Sequence, residues 1–321
     1  MSHATTAPWP GVDEVTGEAL WALCGAANMG PIEALQIVAL KGDHSAQVWR
    51  VERDGQAIAA IKRAHHNPNK VRAEAAALRA AIPTLGATIP HVLAVDVRHE
   101  VRAMALSWIP PGQTLQTHRE RASAQTIEAL GRWVATCHEI VIARPGDVKL
   151  SGDPMPRSQR LVTQASREIA TWRRRADPKN QAYQRDSETL ASALAWLEGA
   201  IAQHTPEIDA PARLIHRDLR AANVIVDEAG NFEGVVDFER ACCGDPAWDL
   251  VKLRWWLLGA GPAWWGEVLW RGYGGVRALP DARHVAIYEV VEAIGQLCYF
   301  WGRHGVYPQQ MRDQLSRLLI S

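Results

Sequence analysis

Residues 214–250 read LIHRDLRAANVIVDEAGNFEGVVDFERACCGDPAWDL, and their local pattern is the most informative in the chain. Two short runs rich in β-branched residues, 223–227 and 234–238, flank the turn sequence Glu-Ala-Gly-Asn at 228–231. This pattern predicts a β-hairpin.

Oxygen-bearing side chains border both predicted strands. Asp218 and Asn223 border the first strand on its N-terminal side, and Asp237 lies at the end of the second. Because a hairpin holds its ends together, we expect these three groups to converge at one rim. Carboxylate and amide oxygens suit a hard cation such as Mg²⁺, with phosphate and water as further ligands.

The spacing His216-x-Asp218-x-x-x-x-Asn223, together with the later Asp237, resembles the catalytic loop and metal-binding aspartate of the protein-kinase fold. The interpretation of Asp218 and Asp237 as ordinary turn residues competes with this one, but the spaced set favours the functional interpretation.

The residues after Asp237 depart from the protein-kinase pattern. Phe238-Glu239 stands in place of Phe-Gly, and the chain lacks the later Ala-Pro-Glu. The segment GDPAWDL at 244–250 instead resembles the GDPxxDL segment of the aminoglycoside phosphotransferase family and its small-molecule kinase relatives.

This resemblance implies an α+β, bilobal protein-kinase-like fold. A small antiparallel-sheet lobe with one long helix would bind nucleotide and comprise residues 1–109. A larger, mainly helical lobe, residues 110–321, would hold the hairpin and bind the acceptor.

The resemblance also places nucleotide-binding residues in the small lobe. The turn at 41–46, with Gly42 and Ser45, would fold over the phosphates, although a plain hairpin turn explains it equally well. Lys62 ends the strand 56–62 and would bind the α- and β-phosphates. It would pair with Glu74 of the helix 69–81, while a solvated lysine and glutamate are the alternative.

The strand 101–109 ends at Pro110-Pro111-Gly112. In the family, such a strand leads into the hinge between the lobes, whose backbone bonds the adenine edge. Carried over by position, this puts the adenine beside Ser107, Trp108 and Ile109.

Composition limits the remaining possibilities. The 321 residues are 47% hydrophobic and 22% charged with zero formal net charge, which argues against nucleic-acid or acidic-membrane partners. Apolar runs stay short of the roughly 18 residues of a membrane span, so we expect a soluble, cytoplasmic protein of undetermined oligomeric state. The five cysteines show no metal-binding spacing.

One segment is locally basic. Residues 156–185 carry eight Lys/Arg against two Asp/Glu. A solvated helix face is the preferred interpretation, and RNA binding is the alternative.

The chain after Leu250 contains six tryptophans, and the acceptor-side region as a whole is balanced in charge. From Gly244 to Ser321 there are seven Asp/Glu and eight Lys/Arg. Core packing is the first interpretation of the indoles, with lining of an acceptor pocket as the second. The balance of acidic and basic residues predicts an acceptor with few positive charges. The tryptophans are Trp255, Trp256, Trp264, Trp265, Trp270 and Trp301.

The sequence thus predicts transfer of the γ-phosphoryl group of ATP, or alternatively GTP, to a hydroxyl of a small molecule. Asp218 would act as the base and Arg220 would reach the transferring group, while Asn223 and Asp237 would hold Mg²⁺. The acceptor would be an antibiotic, either an aminoglycoside or another kind. The alternatives are a metabolic kinase for an amino alcohol or sugar, and a non-catalytic nucleotide- or RNA-binding module.

Overall fold

The computed structural model describes residues 9–40, 46–110, 112–141, 155–301 and 307–320. Contacts group the chain into two compact units, which are described separately. The first is drawn from Met1–Ser151, Arg213–Gly244 and Lys252–Ala278, and the second from Gly152–Ala212, Asp245–Val251 and Leu279–Ser321. The lobe boundary predicted after residue 109 stays a prediction.

A five-stranded antiparallel sheet dominates the start of the first unit. In space the strands follow the order β1-β2-β3-β5-β4. Helix α1 precedes the sheet, and helix α2 connects β3 to β4. The elements are α1 Glu14–Ala26, β1 Leu35–Ala39, β2 Ala46–Arg53, β3 Gln56–Ala64, α2 Pro68–Leu85, β4 Val92–Asp96 and β5 Ala103–Ser107.

Helix α2 begins at a strong local signal. The side chain of Asn67 accepts a hydrogen bond from the backbone N–H of Asn69 at 2.9 Å, and Pro68 occupies the first helical position. Both features favour a helix start at this residue. The helix is therefore longer at both ends than the predicted 69–81.

Three indole rings pack against one another under the sheet. The rings of Trp21 and Trp49 lie edge-on to Trp9, with centroid distances of 5.1 and 5.4 Å. All three side chains are buried, and Trp49 Nε1 donates to the carbonyl of Pro10 at 3.1 Å. This cluster attaches the N-terminal segment and α1 to the sheet.

Five short strands come later in the described part of the chain. They are β6 Gln113–Thr114, β7 Arg213–Ile215, β8 Val224–Val226, β9 Phe232–Val235 and β10 Cys242–Gly244. Strands β8 and β9 form the predicted hairpin, and β6 joins its edge. The strands are shorter than predicted because Asn223 lies in a 3₁₀ turn and Asp237 lies beyond β9.

The remaining helices are α3 Ala124–Cys137, α4 Arg157–Arg175, α5 Gln181–Ile208, α6 Pro246–Lys252, α7 Trp264–Gly274, α8 Ala282–Phe300 and α9 Tyr307–Ile320. In the first unit α3 and α7 cross at close range because glycines stand at the contact. A Cβ on Gly131 would collide with the backbone of α7, and a Cβ on Gly272 would collide with that of α3.

Helices α4, α5, α8 and α9 build most of the second unit. Leu161, Ile169 and Trp172 form the buried face of α4, whereas Arg167 and Arg173 are exposed. This distribution agrees with the interpretation of the basic segment as a solvated helix face. No helix among the described residues is both long and apolar enough to cross a membrane.

Candidate active site

Lys62 lies at the centre of a group of carboxylates. It is carried by β3, and its ammonium donates to Glu74 Oε1 at 3.0 Å and Oε2 at 2.8 Å on helix α2. The same ammonium donates to Asp237 Oδ1 at 2.6 Å. The structure therefore brings together a strand, a helix and the segment after the hairpin at one cation.

The pairing changes the proton affinities of both partners. Burial raises the pKa of the Glu74 carboxyl to about 7, although the Lys62 ammonium lowers it. Burial acts to lower the pKa of Lys62, but the charges of Glu74 and Asp237 outweigh it and raise that pKa above its ordinary value. Lys62 is accordingly a permanently charged ammonium at neutral pH.

Asp237 has an unusual backbone conformation. It lies beyond β9 with φ 69° and ψ 65°, the left-handed region, which costs about 1–3 kcal/mol for a residue with a side chain. The backbone N–H of the preceding Val236 donates to the carbonyl of Asn223 at 2.9 Å. The hairpin therefore brings Asn223 and Asp237 to the same rim, as the sequence suggested.

The loop before the hairpin is held by contacts of the Asn223 and Arg220 side chains with Asp218. Asn223 Nδ2 donates to the carbonyl oxygen of Asp218 at 2.8 Å and to its Oδ2 at 3.3 Å. Arg220 Nε lies 3.5 Å from the same Oδ2. Asp218, Arg220 and Asn223 thus form one contiguous polar group.

His216 makes hydrogen-bonding contacts with the backbone on both sides of the hairpin. Its Nδ1 accepts from the backbone N–H of Asp218 at 3.3 Å, and its Nε2 lies 3.1 Å from the carbonyl of Val236. These contacts fit the neutral tautomer protonated on Nε2. His216 therefore joins the two halves of the site and is buried.

A cavity of about 500 Å³ lies within the first unit beside these groups. Its polar wall includes Lys62, Glu74, Arg220, Asn223 and Asp237, whereas Asp218, which is bonded to Asn223, is not a lining residue. The apolar wall is formed by Leu40, Ala46, Val48, Ala60, Pro90, Leu106, Ala222, Ile225 and Val236.

The three predicted hinge residues also line this cavity. The Ser107 hydroxyl accepts from the backbone N–H of His91 at 2.8 Å, which fixes the end of β5. Trp108 lies against Gly112, where a Cβ would collide with the indole and φ is +75°. Only glycine suits both conditions at residue 112.

Other residues with predicted roles are either outside the described residues or absent from the cavity wall. Gly42 and Ser45 are outside the described residues, so their phosphate-binding role stays a prediction. None of the six C-terminal tryptophans lines the described cavity; Trp265 is fully buried and Trp264 is 42% exposed.

Two residues of this region had no predicted role. Glu239 is buried, its Oε1 accepts from Lys70 Nζ at 2.5 Å, and its Oε2 lies 3.8 Å from Lys62 Nζ. The signal was present in the sequence as Phe238-Glu239 in place of Phe-Gly, but nothing local connected Glu239 to Lys70.

Comparison with known proteins identifies the family. The model of the phosphotransferase enzyme family (APH) matches residues 36–286, which include Lys62, Glu74, Asp218, Asn223 and Asp237. The chain belongs to the phosphotransferase enzyme family. The family prediction is therefore confirmed.

Solved structures of phosphotransferases share the fold. One is the structure of the gentamicin complex of APH(2″)-IIa, which is 16% identical in sequence to this chain. The alignment covers 97% of this chain and 97% of that one, with a TM-score of 0.63. The GDP complex of wild-type aminoglycoside 2′-phosphotransferase-IIIa is 15% identical with a TM-score of 0.62, covering 94% of this chain and 98% of that one.

A third similar structure is the macrolide 2′-phosphotransferase MphH of Brachybacterium faecium, at 16% identity and a TM-score of 0.60, covering 93% of this chain and 97% of that one. No curated protein sequence matches the chain. At these identities the likeness establishes the fold, and the predicted kinase-like α+β fold is confirmed.

Proposed function

We propose that this phosphotransferase moves the γ-phosphoryl group of ATP to a hydroxyl of a small-molecule antibiotic. The observation that carries the proposal is the convergence of Lys62, Glu74, Asp237 and Asn223 on one cavity large enough for a nucleotide. A non-catalytic binding module needs neither the buried ion pair nor the strained aspartate at this place.

The cavity offers two kinds of surface suited to a nucleotide. Its apolar part, between Val48, Ala60 and Ile225, would accept the adenine ring, with the backbone of 107–109 beside the base edge. Its polar part presents Lys62 for the α- and β-phosphates. Structures of relatives hold ATP in one case and GDP in another, which keeps GTP as the alternative donor.

Asp218 is the proposed base. The acceptor oxygen would attack the γ-phosphorus, the bond between that phosphorus and the β,γ-bridging oxygen would break, and the hydroxyl proton would pass to the Asp218 carboxylate. Its Oδ2 is held by Asn223 Nδ2 and lies near Arg220 Nε. Arg220 lines the cavity with its side chain 42% exposed, and it would contact the charge on the transferring group.

The residues present fit a magnesium ion. Asp237 offers a carboxylate, and Asn223 donates through its Nδ2, so its Oδ1 would be the atom that binds the metal; both residues line the cavity. Among the described residues no three His, Cys, Asp or Glu side chains form a metal cage, so phosphate and water oxygens would complete the shell. A bound Mg²⁺ would neutralise charge on the phosphates.

The family resemblance implies that the acceptor binds to the larger, mainly helical lobe, so the carboxylates there bear on the choice of acceptor. Of the buried carboxylates of that lobe, Glu289 accepts from Gln314 at 2.7 Å, and Glu292 accepts from Trp248 at 3.1 Å and Gln296 at 2.7 Å. Carboxylates engaged in this way are poor partners for the ammonium groups of a polycationic ligand. We therefore favour a weakly charged acceptor, such as a non-aminoglycoside antibiotic.

The test is a screen of the purified protein for ADP release in the presence of Mg²⁺. The panel comprises a kanamycin-like aminoglycoside, a macrolide, spectinomycin, sugars and amino alcohols, and product masses are checked for one added phosphoryl group. Turnover of a weakly charged antibiotic supports the proposal. Turnover confined to sugars or amino alcohols refutes the antibiotic assignment, and no ADP release with any acceptor refutes the reaction.

A further inference from the structure

Glu239 is a buried carboxylate that stands between two lysines. Its side chain is 10% exposed, with Oε1 2.5 Å from Lys70 Nζ and Oε2 3.8 Å from Lys62 Nζ. A buried carboxylate is stable as an anion only beside cations or hydrogen-bond donors. Glu239 therefore belongs electrostatically to the group around Lys62, although it lies two residues beyond Asp237.

Helix α2 supplies two of the charges in this group. Lys70 and Glu74 are four residues apart and so lie on one face of the helix. Glu74 binds Lys62 of β3, and Lys70 binds Glu239 of the segment after Asp237. One helix face is thereby attached to both of the chain segments that carry Lys62 and Asp237.

The other side of this segment is held by an aromatic anchor. Phe238 is fully buried, with its ring centroid 4.6 Å from that of His216 and 6.3 Å from that of Trp133. Of the two residues after Asp237, Phe238 is thus fixed in the core and Glu239 is fixed to α2. A strained left-handed residue persists only where its surroundings hold it in this way.

We propose that the Lys70–Glu239 ion pair is a positioning element that holds helix α2 against the segment after Asp237, so that Lys62 and Asp237 face the nucleotide together. The inference rests on the proposed nucleotide-binding function. Lys70 and Glu239 act through other residues and are absent from the cavity wall.

The expected effect falls on nucleotide affinity. A mutation that changes the coupling between a site and a supporting element shifts affinity by about 3- to 30-fold. Lys70→Met and Glu239→Gln should each raise the Kd for MgATP by this factor. Because both residues act through one contact, the double variant should lose little more than either single variant.

The experiment is calorimetric titration with MgATP in the absence of an acceptor, so that its outcome does not depend on phosphoryl transfer. The control is Arg72→Met, which removes a positive charge from an exposed residue of the same helix. Hydrogen exchange of the peptide 68–85 without nucleotide is the second measurement, and faster exchange in Lys70→Met than in Arg72→Met is expected.

The outcomes separate this inference from the function on which it rests. Weaker binding in both single variants, little further loss in the double variant and normal binding in Arg72→Met support the positioning role. Unchanged Kd values, a lowered Tm alone, or additive losses overturn it. A wild-type protein that binds no MgATP instead refutes the proposed function together with the inference.

Discussion

Replacing Lys62 with methionine keeps most of the side-chain volume and removes the ammonium that faces Glu74. The Lys62 side chain is 11% exposed and that of Glu74 is 3% exposed, so the variant leaves a carboxylate in a nearly dry environment. Removing one partner of a buried ion pair costs about 3–5 kcal/mol. We expect the free energy of unfolding of Lys62→Met to fall by about this amount near pH 8.

The loss should depend on pH. The folded pKa of Glu74, about 7, already lies above its ordinary value of 4.5, and removal of Lys62 takes away an interaction that lowers it. A carboxyl with a raised folded pKa favours the folded state while protonated, and this advantage is lost as pH rises through the folded pKa. The stability of Lys62→Met should therefore decrease from pH 5 toward pH 8, by at most about 1.4 kcal/mol per pH unit.

The assay is urea unfolding at pH 5.5, 7.0 and 8.5 without nucleotide, with the double variant Lys62→Met/Glu74→Met as the matched control. The double variant removes the Glu74 carboxylate together with the ammonium, so it should regain part of the stability and lose the pH dependence that Glu74 adds. Equal stability of Lys62→Met and wild type at pH 8.5, or a double variant no more stable than the single one, would show that Lys62 does not stabilise a buried Glu74 carboxylate.

Three further predictions concern metal, packing and thiols. Asp237→Ala should weaken Mg²⁺-dependent ATP binding in calorimetry more than Asn223→Ala does, and unchanged affinity in Asp237→Ala would exclude it as a metal ligand. Gly131→Ala should lower the free energy of unfolding by about 1–3 kcal/mol because its methyl group meets the backbone of α7, and a neutral effect in urea unfolding would contradict this. Burial raises the pKa of Cys24 to about 12, so mass-resolved alkylation of the folded protein at pH 8 should label it far more slowly than the partly exposed Cys242. Equal labelling rates would contradict this.

The hairpin was predictable because its signals are local. Its β-branched runs and Gly-containing turn specify two paired strands, and pairing alone brings Asn223 and Asp237 to one rim. The strand ends were less predictable, since the 3₁₀ turn before β8 and the left-handed Asp237 depend on tertiary contacts. The family resemblance, not periodicity, connected Lys62 with Glu74.

Other features have no local signal. Lys70 and Glu239 are 169 positions apart, and nothing in the spacing of either residue indicates the other. The α3–α7 crossing likewise depends on Gly131 and Gly272 meeting in space, and an isolated glycine in a helical pattern usually indicates only a weaker helix. Such pairs become visible only when the chain is folded.

In the proposed reaction, Asp218 would accept the proton of the acceptor hydroxyl, Lys62 would bind the nucleotide, and Asn223 and Asp237 would hold its Mg²⁺. The most direct test is Asp218→Asn, measured for turnover with the best acceptor from the screen and for MgATP affinity by calorimetry. Loss of a positioned base lowers rates by about 10²–10⁴-fold, so turnover should fall by that factor while MgATP affinity stays within about twofold of wild type. Full turnover of Asp218→Asn with any acceptor would contradict this role of Asp218, as would a loss of rate explained entirely by lost nucleotide binding.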